Sequence, residues 1–64
     1  MNLLCDNFKT GDKIDVSVRP YGVAVRGNPC TIVTVDRYII YAVDSEGFQR
    51  TFPNWDFEFK LSEV

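Results

Sequence analysis

The sequence predicts an all-β domain, a small barrel of five strands. Three observations carry that expectation. Gly, Pro, Asn and Asp cut the chain into short apolar-rich runs of strand length at close spacing. Several of those runs alternate apolar with polar residues, which is the period of a sheet with one buried face. The same runs concentrate β-branched and aromatic side chains, which suit a pleated, half-buried surface.

Taken in order, residues 1–9 read as an irregular lead-in with room for one helical turn, and residues 10–64 as the barrel. Thr10-Gly11-Asp12-Lys13 is a turn. Ile14-Asp15-Val16-Ser17-Val18-Arg19 alternates strictly, so one face is buried and the other wet. Pro20 lacks an N–H for the ladder and ends that strand. Tyr21-Gly22 opens a loop in which Val23-Ala24-Val25-Arg26 fits either a short strand or an ordered arm, before the Gly27-Asn28-Pro29 turn. Thr31–Val35 is β-branched, Asp36-Arg37 is a tight connection, and Tyr38–Val43 is the most apolar run and the expected central strand. Asp44-Ser45-Glu46-Gly47 reads as a hairpin loop with Gly47 at its positive-φ position, and Phe48–Phe52 returns antiparallel. Pro53-Asn54-Trp55 cannot continue the ladder, so a short 3₁₀ turn is expected near residues 53–56. Phe57-Glu58-Phe59-Lys60-Leu61 is the last strand, with Phe57, Phe59 and Leu61 inward. Strands this short must curl on themselves to bury their apolar faces, and full closure would also remove exposed edges.

The chain has 64 residues, enough for one domain. A domain of this size buries only about 60% of the surface its unfolded chain exposes. It has no room for a core plus a deep pocket, so it is expected to work through its surface. Apolar residues make up 45% of the chain and charged residues 25%, which argues against disorder. The net charge of −2 argues against a duplex binder that works by neutralising phosphates. Cys5 and Cys30 show no framework spacing and are expected as reduced thiols of a cytoplasmic protein. Met1-Asn2-Leu3-Leu4-Cys5 superficially resembles a lipoprotein cleavage site but lacks the basic start and apolar core of a signal peptide. No apolar run approaches the length of a membrane span.

The residues argue against catalysis. The chain has no His, so neither Cys5 nor Cys30 has an imidazole base, and Ser17, Ser45 and Ser62 have no visible base either. Asp56 with Glu58, and Asp44 with Glu46, are carboxylate pairs without the cleft that paired-carboxylate hydrolysis needs, and they read as solvated charges. Two Cys without His cannot complete a zinc site, and the Asp44–Gly47 turn is too short for a calcium loop. The expectation is a protein that is not an enzyme and uses no metal or cofactor.

The Gly11-Asp12 turn, the run Thr31–Val43, the Asp44–Gly47 turn and Pro53-Asn54-Trp55-Asp56-Phe57 together resemble the SH3-like barrel over residues 10–62. The chain lacks the Ala-Leu-Tyr-Asp-Tyr stretch and paired Trp of peptide-binding signalling SH3 domains. It is more similar to KOW- and Tudor-like modules and to small orphan SH3-like proteins of bacteriophages and prophages. That resemblance implies binding, not catalysis, and does not choose the partner.

A protein partner is favoured, with the domain occluding one host macromolecule as a monomer or weak homodimer. The loop Arg19–Pro29 carries Tyr21 and Arg26, residue types that dominate interface energetics. Arg19, Tyr21, Arg26 and Trp55 are therefore the candidate protein-binding residues. Trp55 has a second reading, as a plug for one end of the barrel, and Tyr21 as a cover for the core. The alternative is a nucleic-acid binder using Arg37, Arg50, Tyr38 and Phe48, since Arg interleaved with aromatics holds single strands by stacking and charge. A third class is a structural subunit of a larger assembly.

Overall fold

In the computed structural model, which describes residues 3–62, one strand serves three neighbours. Strand β1 (Lys13–Val18) pairs with β2 (Val23–Ala24), β3 (Cys30–Val35) and β6 (Phe57–Leu61). Strand β3 pairs in turn with β4 (Ile39–Val43), and β4 with β5 (Gln49–Pro53), every pair antiparallel. A single helical turn, α1 (Leu4–Asn7), precedes the sheet. The all-β expectation holds, and the hairpin across residues 38–52 forms around Gly47 at φ +92°.

Several details differ from the sequence reading. The sheet has six strands, because Val23–Ala24 takes the strand option and lies beside Ser17 and Val18. It is a half-barrel and not a closed ring, since among the described residues no backbone ladder joins β5 to β6. Aromatic rings fill that seam instead. Phe52 meets Phe57 edge-on at 5.1 Å and Phe59 at 6.3 Å, and Phe59 meets Phe8 at 6.0 Å. Edge-to-face rings span such separations, whereas hydrogen-bonded strands must come within about 4.9 Å.

The open seam explains two further differences. Pro53 belongs to β5, opposite Ile39, because an edge strand needs no N–H on its outer side. Leu61 sits opposite Ile14 on the core side, yet is half exposed because β6 has no outer neighbour to cover it. The 3₁₀ turn is reduced to one turn with a single i→i+3 bond, Asp56 N–H to the Pro53 carbonyl at 3.2 Å.

The core is one cluster of Leu4, Ile14, Val16, Cys30, Ile32, Ile40, Ala42 and Phe52, with Phe8, Val25, Val35, Phe57 and Phe59 packed around it. A β-bulge in β3 between Ile32 and Thr34 leaves Val33 as the extra residue.

One edge of β1 is shared by two strands. Strand β2 takes Ser17 and Val18, while β3 takes Lys13 and Ile14. The buried Val16 between them would be left bare. Asn28 supplies what a strand would: its Oδ1 accepts from the Val16 N–H at 3.0 Å, and its Nδ2 donates to the Val16 carbonyl at 3.0 Å. The Val25 N–H donates to the same carbonyl at 3.0 Å.

Next to this bridge, two turns lock together. The Ser45 N–H donates to the Gly27 carbonyl at 2.8 Å. Gly27 has φ +98°, and a Cβ there would lie 2.9 Å from the Asp44 Cβ, so the position demands Gly twice over. Asp44 is buried and caps its own hairpin, with Oδ1 accepting from the N–H groups of Glu46 at 2.9 Å and Phe48 at 3.0 Å. Arg50 lies 3.7 Å from its other oxygen.

Two predictions follow from these contacts. Asn28→Ala deprives the buried Val16 N–H of its partner and should cost about 2 kcal/mol, read as a lower urea midpoint. An unchanged midpoint would remove Asn28 from this role. The second concerns Cys30, whose thiol is buried while that of Cys5 is exposed. Burial pushes the Cys30 thiol above its ordinary value; the Asp44 carboxylate and, less strongly, Asp15 add to this, and Arg50 opposes it. Above the ordinary thiol pKa of about 8.5, the unfolded chain releases this proton while the folded one keeps it, so stability falls as pH rises. Cys30→Ala should flatten that alkaline slope in pH-dependent urea titrations. A thiol reagent at neutral pH should modify Cys5 in the native protein and Cys30 only after denaturation; equal rates would contradict the buried assignment.

Candidate functional site

Residues 53–57 cross from β5 to β6 and must leave no backbone group stranded. Their bonds come from two sides. The Asn54 N–H donates to the Tyr38 carbonyl at 2.8 Å. From the other side, Arg19 Nε donates to the carbonyls of Asn54 at 2.9 Å and Phe57 at 3.0 Å, and the Arg19 N–H reaches the Asp56 carbonyl at 2.9 Å. Arg19 also pairs with Glu58 at 3.4 Å. Its guanidinium thus holds the turn, a positioning role that the sequence alone did not show.

The pinned turn carries Trp55 outward. Trp55 is 63% exposed, so it does not plug the barrel. Trp55 instead forms one wall of a cleft of about 360 Å³ with Asp36, Arg37, Tyr38 and Ile39. Tyr38 is 43% exposed there. The Arg37 side of the cleft is tied to α1, since the Leu4 N–H at the start of α1 donates to the Arg37 carbonyl at 3.0 Å. Tyr21 does not cover the core. It is 90% exposed on the β1–β2 turn, closed by the Gly22 N–H to the Val18 carbonyl at 2.9 Å, two residues beyond Arg19.

The remaining candidates gather elsewhere. Arg26 lies past the far end of β2, 3.9 Å from Glu46. Phe48 projects from the β4–β5 turn, 63% exposed, and Arg50 lies over the Phe52 ring at 5.8 Å while pairing with Asp44. The two expected sets are therefore re-sorted by the fold. Trp55, Tyr38 and Arg37 share one cleft, and Arg19 holds the turn that carries Trp55; Arg26, Phe48 and Arg50 gather at the opposite end of the β4–β5 hairpin.

Sequence reasoning missed Asp36 and Ile39 as cleft residues and Asp44 as the hairpin cap. An Asp three residues before a Gly in a hairpin loop is the signal that points to such a cap. Chemically, the cleft offers two ring faces and one guanidinium. Arg37 is the only Arg without an ion pair among the described residues, since Arg19, Arg26 and Arg50 pair with Glu58, Glu46 and Asp44. Among the described residues, no group of three or more His, Cys, Asp or Glu side chains is placed to hold a metal ion. Among the described residues, no helix is long and apolar enough to cross a membrane.

The half-barrel is consistent with an SH3-like fold. No family model, no curated protein and no solved structure matches the chain.

Proposed function

We propose that the protein is a small, non-enzymatic interaction module of the phage or prophage type, which binds and occludes a protein of its host's cytoplasm through the Trp55–Tyr38 cleft and the exposed Tyr21. One observation carries this reading. Three exposed aromatic rings stand on turns whose backbones are fixed by hydrogen bonds to neighbouring elements. Rings held this way offer large contact area and lose little freedom on binding, which is what interface anchors require. Arg37, which has no ion-pair partner among the described residues, supplies a charge to orient what binds.

The presence of Arg37 beside Tyr38 and Trp55 favours a second reading, a KOW- or Tudor-like binder of single-stranded nucleic acid. Asp36 in the same cleft and the net charge of −2 weigh against it.

A pull-down of the tagged protein from host lysate, with and without nuclease, tests both. Nuclease-resistant capture of a defined protein, weakened at least tenfold by Trp55→Ala with Tyr38→Ala while the thermal midpoint holds, is the expected result. Capture abolished by nuclease would transfer the site to nucleic acid. Unchanged affinity of the double variant would remove the cleft from the account.

A further inference from the structure

The two ends of the β4–β5 hairpin carry complementary features. Tyr38 directly precedes β4, beside the β5 end at Pro53, while Phe48 directly precedes β5, beside the β4 end at Val43. Five residues of strand, about 17 Å, separate the two ends, so Phe48 cannot reach the cleft of its own chain.

We propose that Phe48 of one copy docks into the Tyr38–Trp55 cleft of a second copy, giving a head-to-tail self-association. Phe48 is an exposed apolar ring on a backbone fixed from both sides: its N–H donates to Asp44 Oδ1 at 3.0 Å, and its carbonyl accepts from the Asp44 N–H at 2.9 Å. The cleft, about 360 Å³ and walled by Trp55, Tyr38 and Ile39, lies at the small end of the range for ligand pockets and suits one large side chain.

The charges match as well. Glu46, two residues before Phe48, pairs with Arg26, and Asp36 and Arg37 line the cleft. Docking sets Glu46 against Arg37 and Arg26 against Asp36. Glu46 and Arg26 pair only loosely with each other, at 3.9 Å and well exposed, so changing partners costs little. The two surfaces differ, which makes the contact heterologous: each added copy leaves one knob and one cleft free. One ring and two charge pairs are far short of a standard interface, so the association is weak. It needs no foreign partner, and it occupies the same cleft, so rising concentration masks the recognition surface.

Sedimentation of the purified protein, with a reductant to keep Cys5 from cross-linking, tests this directly. The protein should be monomeric at about 10 μM and associate progressively toward about 1 mM. Phe48→Ala and Trp55→Ala should each stay monomeric over that range with unchanged circular dichroism. Mixed one to one, they should form dimers and nothing larger, because one variant retains only the cleft and the other only the knob. Arg37→Glu should abolish association, and mixing it with Glu46→Arg should restore it. A wild-type protein that is monomeric throughout, association that survives Phe48→Ala, or a mixture that stays monomeric would each overturn the proposal. None of these readouts involves a host partner, so their failure is separable from failure of the recognition reading.

Discussion

The side-chain amide of Asn28 decides how this sheet bends. An edge of β1 that paired with a single strand along its whole length would extend a flat sheet. Here the edge is divided, with β2 at one end and β3 at the other, and the amide fills the interval at Val16. Because β3 takes only Lys13 and Ile14, it is free to run past β1 and carry β4 and β5 around the core.

The exposed aromatics follow from the same economy of space. Phe52, Phe57, Phe59 and Phe8 already fill the opening between β5 and β6. The turn that spans it is held by Arg19 and by the Tyr38 carbonyl, and Trp55 stands outside the packed rings. Burial of one set of rings and display of another are two outcomes of one packing limit in a domain whose radius of gyration is 10.4 Å.

Local patterns were legible in the sequence and non-local ones were not. The 38–52 hairpin could be read because its turn chemistry and alternation lie within a few residues of each other. So could the inward face of β1 at Ile14 and Val16, both fully buried. Leu61 obeys the same alternation, yet half of it is exposed, since period-two patterning reports a face and not whether that face has a cover. The structural role of Arg19 was not legible along the chain, because its partners, Asn54, Phe57 and Glu58, lie 35 to 39 residues away. The cleft joins Trp55 to residues 36–39 through a similar long-range bond, Asn54 to Tyr38, so its members were assigned to separate sets when only composition and proximity along the chain could sort them.

The seam gives the molecule a mechanical asymmetry. Ladders resist separation through directional bonds that fail abruptly once stretched. Phe52 against Phe57 and Phe59 has no such geometry to break, and edge-on rings slide over one another with a shallow change in energy. Small displacements of β6 relative to β5 are thus absorbed at this line while the β1, β3 and β4 backbone stays intact. The half-barrel has a compliant side and a stiff side, and the Trp55 turn bridges the compliant one.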